Sequence, residues 1–330
     1  MNRKLITLFL LAGSLIFASC QKDSDVFVPD PGQLNGPDTN WYSTITPTMP
    51  VSLLKNNLVT PVPVYTDSFE VNNNNAYIIT PFGLQCGFPP HCCVGNAGQT
   101  ISGFVKVELL LIKKKGDMIQ LNRPTTSNGR LLISGGEVFV RLKQNGQDLQ
   151  LAPNAKIQVR IPVDIPIATQ MKLFFGDESN TERFNWLPNT DLVNNTLGIT
   201  TQNYEIQTNH LRWLNADYFY DTTGITQTTV TAILDPQFTN ANTIAYAVLK
   251  DYRSVVGMYG DVSTRRLSSS RLPVGKDITV VVISKQGNDY FMDHKIVTTI
   301  SPSTSPGYQS LVVKPVITTL AGIQAYLASL

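Results

Sequence analysis

Apolar and polar side chains alternate along much of the chain beyond residue 60. In the segment 105–111, apolar residues at every second position are separated by Lys106 and Glu108, and the segment 156–161 alternates in the same way. A period of two predicts β-strands with one face buried. The run 278–283 is apolar at nearly every position, which is typical of a strand at the centre of a sheet.

Turn signals separate these strands. Asn145 and Gly146 lie between the alternating runs 137–143 and 148–151. An Asn-Gly pair in this position predicts a two-residue type I′ hairpin, because both central residues need a positive φ. The glycines in the segment 134–136 predict a β-bulge or a close approach of two backbones.

Together these patterns predict an all-β protein. We expect two antiparallel β-sandwich domains, residues 51–165 and 222–330, joined by an aromatic-rich middle segment, 166–221. The residues from 320 onward are expected to form one short C-terminal helix. Strands do not alternate with long helical patterns, which argues against a parallel α/β enzyme fold.

The N-terminus has the layout of a secretory signal peptide. Arg3 and Lys4 precede an uncharged apolar run, 5–17, which is too short to cross a bilayer core of about 30 Å as a helix. We therefore interpret residues 1–19 as a signal peptide. Residues 20–50 are rich in Pro, Gly, Asn and Asp, and such a composition predicts a flexible tether.

The end of the apolar run carries a recognisable motif. Phe-Ala-Ser-Cys at 17–20 resembles the lipobox of bacterial lipoproteins, with Phe17 where Leu is usual. The resemblance implies cleavage before Cys20 and attachment of lipid to its thiol, so that the membrane becomes a partner through the anchor. Gln-Lys-Asp-Ser-Asp at 21–25 is similar to the signal that sends lipoproteins of the Bacteroidota to the cell surface. The expected localisation is therefore the outer membrane, as a lipoprotein that is either surface-exposed or periplasm-facing.

Two parts of the body also show a resemblance. The motifs Asp-Met-Ile at 117–119, Asn-Arg-Pro-Thr-Thr-Ser-Asn-Gly at 122–129, Leu-Ile-Ser-Gly-Gly at 132–136 and Arg-Trp-Leu-Asn-Ala-Asp-Tyr-Phe at 212–219 resemble stretches of uncharacterised Bacteroidota lipoproteins. Where those relatives tend to have Gly and Cys, this chain has Arg212 and Ala216. The segment 78–161 resembles ZU5-type β-sandwiches. The resemblance implies a fold and an address, but no catalytic residue or ligand.

Charge excludes one class of partner. The chain has 26 basic and 24 acidic residues, and removing residues 1–19 takes away Arg3 and Lys4 and leaves equal numbers. A nucleic-acid-binding protein needs a clustered positive surface to displace counterions from phosphate. The sequence contains no extended basic cluster, so we expect no nucleic-acid partner.

Three cysteines remain after lipidation of Cys20. Oxidising conditions after export favour a disulfide from Cys86 to Cys93, or to Cys92, across a loop that contains two adjacent prolines. Free thiols and a metal site that includes His91 are the alternatives. The metal site fits poorly, because the spacing differs from that of zinc sites and adjacent cysteines point apart in an extended backbone. We predict neither a metal nor a cofactor.

The sequence contains few candidate catalytic residues. The histidines are His91, His210 and His294, and the motifs of zinc proteases, serine hydrolases and P-loop enzymes do not occur. No catalytic residue is assigned. A non-enzymatic binding or scaffold module, with an envelope protein or a glycan as partner, is the expected function. The alternative is a hydrolase that acts on glycans or peptides.

One aromatic-rich run provides candidate site residues. Trp213, Asp217 and Tyr218 form a possible ligand surface, and Asp217 with Asp221 could form a pair of glycosidase-like carboxylates. Aspartates at the ends of strands are more often turn formers. His210, beside the same run, is expected to be packed rather than catalytic.

Overall fold

β-Strands dominate the computed structural model: 48% of the residues are in strands and 9% in helices, which confirms the all-β class. The predicted signal peptide, Cys20 and the tether as far as residue 38 lie outside the described residues. The structure describes residues 39–59, 62–163, 166–180, 182–269, 271–302 and 307–330.

The strands are short and follow one another closely along the chain. In chain order they are β1 (Tyr65–Val71), β2 (Ala76–Ile79), β3 (Gln85–Phe88), β4 (Cys93–Val94), β5 (Gly103–Ile112), β6 (Thr126–Ser127), β7 (Arg130–Gln144), β8 (Gln147–Asp148), β9 (Gln150–Leu151), β10 (Ile157–Pro162), β11 (Lys172–Asp177), β12 (Asn185–Pro188), β13 (Thr196–Ile199), β14 (Asn203–Thr208), β15 (Arg212–Phe219), β16 (Gln227–Thr228), β17 (Val230–Ile233), β18 (Thr243–Leu249), β19 (Val255–Asp261), β20 (Arg266–Ser268), β21 (Leu272–Pro273), β22 (Asp277–Gln286), β23 (Asp289–Thr298), β24 (Gln309–Val312) and β25 (Val316–Thr318).

Three helices occur in the described residues: α1 (Pro50–Val59), α2 (Lys115–Gln120) and α3 (Leu320–Ala328). The last confirms the predicted C-terminal helix. Its first turn is capped by the Thr319 hydroxyl, which accepts a hydrogen bond from the backbone N–H of Gly322 at 3.0 Å. Gly116 lets α2 and α3 approach closely, because a Cβ there would lie 1.8 Å from the carbonyl oxygen of Leu327.

The strands assemble into three main sheets. Sheet I has the order β1-β5-β7-β15-β11-β12, with β6 and β8 also paired to β7. Sheet II has the order β13-β14-β10-β3-β2, and sheet III has the order β24-β17-β20-β19-β18-β22-β23-β25. Among the described strands the pairings are antiparallel, except that β17 pairs in parallel with β24.

Apolar side chains fill three core regions between these sheets. Core 1 lies between sheets I and II, and the valines of β5 and β7 meet the isoleucines of β10 there. Core 2 joins the opposite face of sheet I to the helices and to one face of sheet III. Core 3 is enclosed by the other face of sheet III. The two faces of sheet I therefore pack into two different cores.

The middle segment 166–221 belongs to the sheets of the first half. Its strands β11, β12 and β15 complete sheet I, and β13 and β14 form one side of sheet II. Within this arrangement β15 pairs with β7 on one side and β11 on the other. The aromatic side chains of the segment thus contribute to cores 1 and 2.

Local predictions hold where the signal lies in a few neighbouring residues. Asn145 and Gly146 have φ values of 52° and 79°, as a type I′ hairpin requires, and Gln144 pairs with Gln147. The apolar run 278–283 lies in β22, between β18 and β23, and confirms the predicted central strand.

Candidate functional site

The predicted ligand surface on β15 is not a surface. Trp213 is 4% exposed and Asp217 is fully buried, whereas Tyr218 is partly buried. The Trp213 ring lies 4.9 Å from the Phe139 ring, and its indole N–H donates to Glu178 at 3.2 Å. The prediction was wrong because β15 is an inner strand of sheet I, with packed groups on both of its faces.

Asp217 instead belongs to a buried polar cluster at the predicted bulge. Ala216 pairs with Gly136, but Asp217 pairs with Ser134, so Gly135 is an extra residue on β7. One carboxylate oxygen of Asp217 accepts a hydrogen bond from the side-chain amide of Asn215 at 2.7 Å. The bulge therefore aims Asp217 at its neighbours within the sheet rather than at solvent.

A second carboxyl group, which the sequence did not indicate, lies beside this cluster. Glu137 is fully buried on β7, opposite Asn215, and neither of its carboxylate oxygens has a hydrogen-bond partner. Burial raises the pKa of Glu137 well above its usual range, and the nearby Asp217 raises it further. Burial likewise raises the pKa of Asp217. The two acids are held in the uncharged form more readily than free carboxyl groups.

Two arginines border the cluster. Arg253 donates hydrogen bonds to the carbonyl oxygens of Ser134 and Gly135, each at 3.3 Å. Arg123 lies over the Phe184 ring at 4.2 Å. Both guanidinium groups favour the ionised form of Glu137, but burial outweighs them. The arrangement joins sheet I to the loop before β19 and offers no opening for a substrate.

The proposed pair of glycosidase-like carboxylates is also not assembled. Asp217 is enclosed, whereas Asp221 is exposed and accepts a hydrogen bond from the backbone N–H of Thr223 at 2.9 Å, as a turn-forming aspartate does. Across the part of the chain that the structure describes, no group of three or more His, Cys, Asp or Glu residues is placed to hold a metal ion.

The predicted disulfide is not formed in the structure. Cys86, Cys92 and Cys93 are free and buried in core 1. The thiols of Cys92 and Cys93 hydrogen-bond to each other, so these adjacent side chains do not point apart as expected, and this bond raises the pKa of Cys93. Burial raises the pKa of Cys86 to about 12. His91 is exposed and contacts Asn73 instead of the thiols.

His210 contacts one aromatic ring but is otherwise exposed to solvent, so the expectation that it is packed holds only in part. Its ring stacks on Phe175 with centroids 4.1 Å apart, and burial lowers its pKa. It borders an open cavity of about 590 Å³ that is also lined by Arg141, Asp148 and Arg212. Arg141 and Asp148 form a bidentate ion pair at 2.7 and 2.9 Å, and Arg212 pairs with Glu178 at 3.0 Å, so each charged side chain of this cavity already has a partner.

The outer face of sheet II is exposed and largely polar. Along β2, β10 and β14, residues buried in core 1 alternate with residues that face away from it. The strand registers place the outward residues in two rows that cross the sheet. We define the "outer face" as these rows: Tyr77, Gly87, Gln158, Gln207 and Thr196 in the first, and Ile79, Gln85, Arg160, Glu205 and Gly198 in the second.

The edge strand β2 supplies the apolar part of the outer face. Tyr77 and Ile79 are each 66% exposed. The Tyr77 ring lies across Gly87: a Cβ on this glycine would be 3.1 Å from the ring. Because Gly87 has no side chain, a recess of about 190 Å³ remains between Tyr77, Gln85, Gln158 and neighbouring residues. An aromatic side chain beside a glycine covers part of its bare backbone.

The rest of the outer face is polar and uncharged overall. Arg160 and Glu205 face each other across β10 and β14 with an N···O distance of 3.2 Å. Within the described residues, no hydrogen bond uses the side-chain amides of Gln85, Gln158 or Gln207. Each amide offers both a donor and an acceptor to solvent or to a ligand. This face combines an apolar platform with free, mixed hydrogen-bonding groups.

Comparison with known proteins provides no family assignment. No protein-family model matches the chain, and none of the curated proteins is similar to it in sequence. Among the described residues, none of the helices is both long enough and apolar enough to cross a bilayer.

Proposed function

We propose that the protein is a lipid-anchored envelope protein of the outer membrane and acts as a non-enzymatic binding module. The anchor is Cys20, and the binding site is the outer face of sheet II. The observation that carries this proposal is the outer face itself: an exposed aromatic ring beside a recess and a set of unpaired amides. A site of this composition suits a partner with both polar and apolar groups.

The buried acids support binding rather than hydrolysis. A general acid or base must lie within hydrogen-bond reach of its substrate. Among the residues that the structure describes, Glu137 and Asp217 are the carboxyl groups with strongly raised pKa values, and both are enclosed between sheet I and sheet III. Their position suits a role in joining the two halves of the fold.

The anchor is tested by replacing Cys20 with Ser in the full chain. We expect the variant to lose labelling by radioactive palmitate and to leave the membrane fraction, because the serine hydroxyl does not replace the thiol as the acceptor. Cys86→Ala is the matched control and should keep both properties. A Cys20→Ser variant that remains labelled and membrane-bound would contradict the anchor.

The address is tested by protease treatment of intact cells. A surface-exposed body is digested at once, whereas a periplasm-facing body survives until the outer membrane is opened. Either result is compatible with an outer-membrane lipoprotein. Recovery of the protein with the inner membrane would contradict this address.

The binding site is tested with the Cys20→Ser form, so that insertion of lipid does not obscure binding. Isolated envelopes from cells that lack the protein are sedimented with it, and the bound fraction is measured. We expect Tyr77→Ala to weaken binding by about tenfold, the equivalent of about 1.4 kcal/mol. Phe104→Ala removes an equally exposed ring, 69% exposed on sheet I, and should have no effect. Equal binding by both variants would exclude the outer face.

A further inference from the structure

The chemistry of the outer face indicates the class of its ligand. From this surface we infer that the protein binds a neutral polysaccharide strand, an inference that rests on the proposed binding function. The ligand would lie across the strands of sheet II, with one sugar ring on Tyr77 and its hydroxyl groups on the amides of the first row.

Charge is the first argument. The outer face contains one cation and one anion, Arg160 and Glu205, and these are paired with each other at 3.2 Å. A strongly anionic or cationic ligand would find no unbalanced charge of opposite sign there, whereas ligands and sites normally carry complementary potentials. A ligand without net charge matches this surface.

Hydrogen bonding is the second argument. A hydroxyl group both donates and accepts, and so does the amide of a glutamine. Gln158 and Gln207 face each other across β10 and β14 and are exposed, and Gln85 lies near them in the second row. A row of such amides can satisfy the many hydroxyl groups of a sugar chain without a charged group. A peptide strand is a weaker fit, because its backbone would pair with a sheet edge rather than with a sheet face.

The shape of the site is the third argument. The Tyr77 ring lies against Gly87, is largely exposed and borders the recess. The C–H side of a sugar ring is apolar and flat enough to stack on an exposed aromatic ring. Neighbouring strands are about 4.8 Å apart, so the first row spans about 19 Å from Tyr77 to Thr196. The face ends at an edge strand on both sides, which leaves room for a long chain to continue past it.

The experiment uses the full chain with Cys20→Ser and an array of neutral hexasaccharides, with α- and β-linked glucose, mannose, galactose and xylose, beside polygalacturonate as the anionic probe. We expect at least one neutral hexasaccharide to bind, Tyr77→Ala to weaken binding about tenfold, and Phe104→Ala to leave it unchanged. Absence of binding to any neutral hexasaccharide, or binding to polygalacturonate alone, would overturn the inference.

A second variant distinguishes loss of the binding site from loss of the fold. Gly87→Ala leaves the Tyr77 side chain in place but places a methyl group 3.1 Å from its ring and 3.5 Å from the Cβ of Gln158. The ring must then move off the sheet by a few tenths of an ångström and the recess fills. We expect weaker saccharide binding with an unchanged circular dichroism spectrum. Saccharide binding equal to that of the unaltered chain would count against the stacking position.

Treatment of the envelopes separates this inference from the proposed function. Periodate cleaves the vicinal diols of sugars and leaves most protein partners intact, whereas protease does the reverse. If periodate abolishes sedimentation with envelopes, the glycan is supported. If protease abolishes it and Tyr77→Ala still weakens it, the binding face stands and the glycan inference fails. If Tyr77→Ala has no effect on envelope binding, the proposed function at this face fails first.

Discussion

Replacing Glu137 with Gln should make the stability of the protein less dependent on pH. The side chain is fully buried, has no hydrogen-bond partner, and has a pKa raised chiefly by burial. In the folded chain the carboxyl group keeps its proton at a pH where the unfolded chain has lost it. The native state therefore binds more protons, and stability falls as the pH rises. This window opens near the unfolded pKa of about 4.3 and closes at the raised folded value.

The magnitude follows from proton linkage. Each carboxyl group that is protonated when folded and ionised when unfolded lowers the free energy of unfolding by about 1.4 kcal/mol for each pH unit. Where Glu137 and Asp217 both keep their protons in the folded chain, the two contributions add to twice this slope. Glu137→Gln removes one proton from this balance and should halve that slope. The amide preserves the shape of the side chain, so packing in core 2 changes little.

The assay is urea unfolding followed by tryptophan fluorescence, at several values between about pH 5 and pH 6.5. His210, whose pKa is lowered by burial, contributes a slope of opposite sign, but it is present in both proteins and cancels in the difference. Glu70→Gln, which removes an exposed carboxylate from β1, controls for the loss of surface charge. Parallel stability curves for the unaltered chain and Glu137→Gln would refute the reasoning.

Three further predictions concern stability and thiol chemistry. Arg212 has a φ of 77°, which is strained for a residue with a side chain, and it pairs with Glu178 at 3.0 Å. High salt screens the ion pair, so its loss matters little there. Under these conditions Arg212→Gly should raise the free energy of unfolding by about 1 kcal/mol, because glycine relieves the strain. A destabilised Gly variant under these conditions would contradict the strain. Gly176→Ala should cost about 1–3 kcal/mol, because its methyl group would lie 2.5 Å from the Cβ of Trp213, whereas Gly198→Ala, with 3.8 Å to its nearest atom, should cost much less. The three buried thiols should be unreactive to a thiol reagent in the native protein and all react after unfolding without reductant; recovery of only one would reinstate the disulfide.

Sequence patterns predicted the elements well where the determinants are local. Alternation located the strands, and a single Asn-Gly pair located the hairpin that follows β7. The position of a strand within its sheet depends on contacts between residues that are distant in the chain. The hydrophobic periodicity of one segment carries no information about these contacts. For this reason Asp217 and Trp213 were expected at a surface, although β15 lies between β7 and β11. Glu137 gave no signal, because an acidic residue in a strand usually faces solvent.

The candidate site was missed for a different reason. Each of its strands, taken alone, shows ordinary alternation, and the outward residues of β2, β3, β10 and β14 are far apart in the chain. Only the registers bring Tyr77 beside Gly87 and Gln158 beside Gln207. The glycine within the short strand β3 was the available signal, since a glycine inside a strand often marks a close approach.

Core 2 has a consequence for the order in which the chain can fold. It contains α1, from the first described part of the chain, and α3, from the last, and both pack against the same region as α2. A ribosome or a translocon releases α1 long before α3, so Leu54 and Leu58 must wait for Ile323 and Leu327. During that interval core 2 lacks the apolar side chains that α3 contributes. Release of α3 therefore allows core 2 to be completed.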